Sequence, residues 1–184
     1  MFTKFSFHFL KKYKITTILS LTICYHKSVT LFLGGMEMSL KYKNILVAVD
    51  GSEQADLAFK KAIAITKRND ANLFITHILD DRFGAVSAYA PGIIDEVEVR
   101  GKELLESYEK EAKEAGLTKV ETHLAHGSPK AKVAKHVAPL VNADLIICGA
   151  TGLNAVERFL MGSVSEHITR YAKCDVLVVR NMEE

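Results

Sequence analysis

Three glycines and two serines toward the C-terminal end carry the densest chemical signal in the chain. Leu145-Ile146-Ile147-Cys148 runs into Gly149-Ala150-Thr151-Gly152, and Gly162-Ser163-Val164-Ser165 follows after nine intervening residues. An apolar run closed by glycines fits the exit of a buried parallel strand, where the backbone turns sharply and comes close to a ligand. The second cluster opens a helix. Ser163 or Ser165 is a candidate cap for it, and free N–H groups at a helix N-terminus attract anions through hydrogen bonds and the helix dipole. Two such elements converging would hold a polyphosphate, whereas one glycine pair alone is more simply a turn.

Asp50 is the second candidate, placed after the apolar run Ile45-Leu46-Val47-Ala48-Val49. It could bond a base or ribose hydroxyl, hold a magnesium ion through water, or serve only as a turn-forming carboxylate. Arg158 could reach a phosphate or stand as a surface charge. Other phosphate and nucleophile motifs are missing: there is no G-x-x-x-x-G-K-[ST], no G-x-G-x-x-G after the first strand, and no G-x-S-x-G. His77, His123, His126, His136 and His167 are available for acid–base work, but structural or surface roles are the simpler expectation. His123 and His126, three apart on a predicted strand, face opposite sides and make a poor metal pair. Cys24, Cys148 and Cys174 lack the spacing of a zinc site or a disulfide framework, so reduced thiols are expected.

The elements that must position these groups alternate between strand and helix. Ile45–Val49 reads as a central parallel strand. Ser52 is a candidate N-cap for a helix with Ala55, Ala58, Phe59, Ala62 and Ile65 on one face, ended by Asn69-Asp70. Leu73–Leu79 is a second strand, followed by a loop with Gly84, Pro91 and Gly92 that has room to cover a ligand. A helix from about Ile94 to Ala115 carries Val97, Leu104, Tyr108, Ala112 and Ala115 on one stripe, with Gly116 as its C′ residue. Val120–Ala125 forms a third strand. Gly127-Ser128-Pro129 supplies a turn, an N-cap and a first helical proline for Lys130–Leu140. Asp144–Cys148, a helix Val164–Ala172 and a last strand Asp175–Arg180 complete five strands, which argues for a doubly wound α/β fold.

Charge divides the chain of 184 residues unequally. The first 35 residues hold Lys4, Lys11, Lys12, Lys14 and Lys27 and no acid, leaving 19 of the 24 basic side chains against all 22 acids in the remainder. The sequence pI of 8.3 therefore belongs to the leader and is no sign of nucleic-acid affinity. The 149 residues from Met36 onward suffice for one domain burying roughly 70% of its unfolded surface. The leader's apolar run Ile15–Tyr25 is too short to span a bilayer and no A-x-A-like site follows it, although a poor secretory signal competes with that reading. We expect residues 1–37 to lie outside the mature protein and the domain to occupy 38–184. Gly34-Gly35 reads as a translated ribosome-binding sequence and Met36 or Met38 as the start.

The pattern G-x-x-G, nine residues, then G-[ST], together with Asn44–Ser52 and Gly127-Ser128-Pro129, resembles the universal stress protein family over about residues 42–181. The resemblance implies one domain with a five-stranded parallel sheet in the order 3-2-1-4-5 and helices on both faces. It implies an ATP site, with magnesium as a candidate companion. Ala48, Asp50 and Ile78 would surround the adenine and ribose. Gly149, Ala150, Thr151, Gly152, Leu153, Asn154 and Ala155, with Gly162, Ser163, Val164 and Ser165, would surround ribose and phosphates, and Arg158 would lie within reach. The chain departs from the commonest family pattern at Ala150-Thr151, where a serine and then a basic residue or histidine often stand. Phosphate binding would lean on backbone amides or magnesium instead.

The implied function is a cytoplasmic, ATP-dependent regulatory or protective module in stress response, homodimeric through Val176–Val179, with no nucleic-acid or membrane partner. Two alternatives remain: a slow ATPase or phosphotransferase using Asp50 with magnesium and modifying a serine such as Ser163, or a dimeric interaction module without nucleotide. N-terminal sequencing of the native protein tests the expected start, and a native terminus upstream of Gly34 would refute it.

Overall fold

The computed structural model describes residues 30–33, 36–39, 41–80, 93–153 and 161–180, in two units, Met1–Lys41 and Tyr42–Glu184. In the first unit, β1 (Thr30–Leu33) pairs antiparallel with β2 (Met36–Ser39). The second unit holds β3 (Asn44–Ala48), α1 (Glu53–Asn69), β4 (Asn72–Leu79), α2 (Ile93–Glu114) and β5 (Val120–His126). Next comes α3, in three consecutive segments (Pro129–Lys132, Val133–Val137 and Ala138–Leu140), then β6 (Leu145–Gly149), α4 (Ser163–Tyr171) and β7 (Asp175–Val179).

All five strands from β3 onward run parallel, in the order β5-β4-β3-β6-β7. Counted from the first strand of the domain this is 3-2-1-4-5, the expected doubly wound sheet. The apolar run of β3 has a physical reason: successive side chains point to opposite faces, and both faces are covered. Ile45 and Val47 join a core with Phe59 of α1 and Leu105, Tyr108 and Ala112 of α2. Leu46 joins a second core with Val133 and Val137 of α3, Ile146 of β6 and Ile168 of α4. The centre of the α2 stripe lies on Leu105 as well as Tyr108, while Leu104 is only partly buried.

Local chemistry sets the element ends. Ser52 caps α1 by accepting a hydrogen bond from Ala55 N–H at 3.2 Å, and Asp70 closes the helix in the left-handed region at φ 52°. The middle of α3 departs from the regular helix that its sequence suggests. Val133–Val137 is π-helical, and Ala138 N–H reaches back to Val133 C=O. Pro139 supplies the cause: it has no N–H and its ring crowds the carbonyl four residues back, a conflict that one wider turn relieves. The capping expectation for α4 is corrected. Gly162 is its N-cap, no side chain caps it, and Ser163 and Ser165 both lie within the first turn. The loop with Gly84, Pro91 and Gly92 lies outside the described residues.

Candidate functional site

The sheet reverses its winding direction at β3, whose neighbours are β4 on one side and β6 on the other. Ligands of such sheets bind beyond the carboxyl ends of the strands at this reversal. Asp50 and Gly149 leave the sheet there, from adjacent strands. Asp50 then turns back on its own loop: Oδ1 accepts from Ser52 N–H at 3.0 Å and from Ser52 Oγ at 2.6 Å. Its Oδ2 reaches across to accept from Leu153 N–H at 3.3 Å. One carboxylate thus ties the β3 exit to the glycine loop after β6. With about four acceptor positions per carboxylate, Oδ2 keeps one for a ligand hydroxyl or a hydrated cation.

Ala150 is the second tie point. Its N–H donates to Val179 C=O at 2.7 Å, and its carbonyl accepts from Gly162 N–H at 2.7 Å and from Ser165 Oγ at 2.7 Å. The two glycine clusters predicted to converge are therefore joined through Ala150. Ser165 is buried and also lies 2.8 Å from Gly162 C=O. Its hydroxyl is committed to the loop, so it shapes the cradle, in contrast to the expected ligand donor. Ser163 is exposed and Val164 half-buried at the start of α4. With no capping side chain, the first-turn amides of α4 keep their donor capacity, where an anion is favoured.

Close approach crowds the glycines of the loop. A Cβ on Gly149 would lie 2.9 Å from the backbone carbonyl carbon of Gln54, because α1 passes directly over the β6 exit. A Cβ on Gly152 would run into Asp50 Oδ2. Thr151 is half-buried and Leu153 is 70% exposed, at the open side of the loop. Asn154, Ala155 and Arg158 lie outside the described residues.

Ala48 and Ile78, expected on the adenine side, stand at the carboxyl ends of β3 and β4. Val49 N–H donates to Thr76 C=O at 2.9 Å, so the backbone of Thr76 faces β3, and by the two-residue period of a strand so does that of Ile78. The β3–β4 register stops at Ala48↔Thr76. The Ile78 N–H and C=O are therefore turned toward a place that β3 has already left. His77, for which a structural or surface role was the simpler expectation, holds its Nδ1 2.8 Å from Val49 C=O at this same edge. Its position immediately before Ile78, at the carboxyl end of a strand, is the one signal in the sequence that pointed here.

The remaining candidates disperse. His123 lies 3.0 Å from Glu121, and His126 lies 3.9 Å from Glu98. His167 stacks on Tyr171 at a ring separation of 4.2 Å. Among the described residues no group of three or more His, Cys, Asp or Glu could hold a metal ion. A magnesium ion here would rest on phosphates, water and Asp50, the usual arrangement for that ion. Cys148, under the glycine loop, is buried, and burial pushes its thiol up to about 12.

The profile of the Universal stress protein family matches residues 41–180. A Staphylococcus haemolyticus relative carrying the universal stress protein name is 52% identical over 145 residues, 78% of this chain and 88% of its own. The solved structure of universal stress protein UspA from Lactobacillus plantarum superposes with a TM-score of 0.68 at 29% identity, covering 76% of this chain and 99% of its own. A universal stress protein solved in complex with cAMP superposes with a TM-score of 0.56 at 28% identity, over 76% of this chain and 98% of its own.

The Cys148 thiol gives a pH signature with a definite sign. Its folded pKa lies above the ordinary 9.0, so the stability it contributes is full below about pH 9 and declines as pH rises toward about 12. In urea titrations, the stability difference between the parent and Cys148→Ala should shrink by on the order of 2 kcal/mol between about pH 8 and about pH 10.5. An unchanged difference would show that this thiol titrates normally.

Proposed function

The chain belongs to the universal stress protein family, and on that footing we propose that its glycine-lined crevice binds an adenine nucleotide, with ATP as the physiological ligand. The observation that carries this reading is the set of groups with hydrogen-bonding capacity left over beyond the ends of β3, β4 and β6. An acceptor position on Asp50, the uncapped start of α4 and the backbone edge of Ile78 support it, with the segments that carry them joined through the bonds of Leu153, Ala150 and Val49. Phosphates suit the α4 amides and the loop Gly149–Leu153, a ribose hydroxyl suits Asp50, and a base edge suits the paired donor and acceptor of Ile78. The cAMP complex of a neighbour supports adenine as the base.

Thr151 brings no positive charge to the loop, so a triphosphate here relies on amides and magnesium. Binding, more than turnover, is the role proposed: a cytoplasmic regulatory or protective module whose state follows nucleotide occupancy. Chain assembly follows the same logic. Among the described residues β7 pairs with β6 on one side only, and its Val176, Leu177 and Val178 are half-buried at the sheet edge. An apolar edge strand of this kind is an aggregation hazard unless covered. We propose that the same strand of a second copy covers it.

Two experiments test these readings. The full chain, purified without added nucleotide and then denatured, should release ATP or ADP detectable by mass spectrometry. Gly152→Val, which drives a side chain into Asp50, should release none and bind added Mg-ATP at least about tenfold more weakly. A parent that neither carries nor binds nucleotide would leave the glycines with only a turn-making role. For assembly, Val178→Lys should convert a dimer into a monomer by light scattering, and an unchanged dimer would exclude this edge as the interface.

A further inference from the structure

The β3–β4 ladder ends one hydrogen bond early, and His77 stands at that end. In a parallel ladder the bond from Val49 N–H to Thr76 C=O is followed by one from Ile78 N–H back to Val49 C=O. That second bond would place Val49 opposite His77, yet the register stops at Ala48↔Thr76. The Val49 carbonyl instead meets His77 Nδ1 at 2.8 Å. A carbonyl only accepts, so Nδ1 carries the hydrogen and donates it.

The ring is held in that position from above. Gly101 lies inside α2, where glycine costs about 1 kcal/mol relative to alanine. A Cβ there would stand 3.0 Å from Leu79 Cδ2, 3.1 Å from Leu124 Cδ1 and 3.4 Å from His77 Cδ2. The helix backbone therefore rests on the imidazole and on its neighbours from β4 and β5, which limits the ring's rotation.

We propose that His77 is a positioning residue for base recognition: by donating Nδ1–H to Val49 C=O it takes the place of the Ile78 amide and keeps that amide open for the edge of a nucleobase. The inference rests on the nucleotide-binding reading of the crevice and adds to it the device that separates the base end from the sheet. Without the imidazole, the ladder gains its missing bond, Ile78 N–H turns to Val49, and the base loses a donor. The phosphate end, built from Gly149–Leu153 and the start of α4, is untouched by this exchange.

The test compares ATP with inorganic tripolyphosphate, a base-free probe, by calorimetric titration of the full chain. His77→Leu should weaken ATP binding about tenfold and leave tripolyphosphate binding unchanged. His77→Asn, whose side-chain N–H₂ sits where Nδ1 does, should restore ATP affinity to within about threefold. Unaltered ATP affinity in a folded His77→Leu, or an equal loss for both probes, would overturn the role. A parent that binds tripolyphosphate but not ATP would overturn it too, and a parent that binds neither would remove the nucleotide reading itself. Nitrogen-15 NMR of the histidines in the unaltered chain needs no variant. In its neutral form the His77 ring should be the Nδ1–H tautomer, and a dominant Nε2–H tautomer would end the proposal.

Discussion

Everything at the crevice depends on where the hydrogen-bond ladder of β3 stops. The strand is buried on both faces and paired on both edges, to β4 and to β6, so its residues have no freedom until the ladder ends. At Val49 one bond to Thr76 remains, and at Asp50 the chain turns away through Gly51, at φ 78°. A central strand that ends sooner than its neighbours leaves polar backbone on those neighbours without a partner. Such groups are costly when buried and useful when a ligand satisfies them.

The loops around that opening are held by few bonds, each serving two purposes. Asp50 caps its own turn through Ser52 and reaches the glycine loop at Leu153, while Ser52 in turn caps α1. Ala150 links the same loop to β7 through its N–H and to the start of α4 through its carbonyl. A ligand that competes for Asp50 Oδ2 would therefore meet the β3 exit and the glycine loop together. The path from Ala150 to Val179 continues to the edge strand, so the crevice and the apolar edge are joined by backbone hydrogen bonds alone.

What could be read from the sequence follows the physical range of each signal. The continuous apolar runs of β3 and β6 report burial on both faces, because any polar residue there would be stranded. The Ser52 cap and the left-handed Asp70 are local, and local chemistry is legible. The glycine spacing marks a loop that approaches something closely, but not what it approaches. Gln54 over Gly149 and Asp50 beside Gly152 are contacts between segments roughly a hundred residues apart, invisible to periodicity. Ser165 shows the limit from the other side. Its residue type suits a phosphate donor, yet it is turned inward to Ala150, and only the fold reveals which acceptor is nearer. The π turn in α3 was implicit in Pro139, since a proline ten residues into a helix must be accommodated somehow.

The proposed chemistry of the crevice is that of holding rather than of attack. Both Asp50 oxygens accept hydrogen bonds from the protein, and Ser165, the buried hydroxyl of the loop, donates inward to Ala150 C=O. A nucleophile or base needs a lone pair directed at a reacting atom, and here Asp50 Oδ1 spends its own on Ser52 while Ser165 turns its hydroxyl inward to the loop. Recognition has a different requirement, since a ligand can be read by backbone groups that the fold leaves over. The α4 amides and the Ile78 edge are such groups, and neither depends on side-chain identity. The pattern of glycines and one carboxylate can therefore specify the crevice, while the residues that keep it open, such as His77, belong to the sheet behind it.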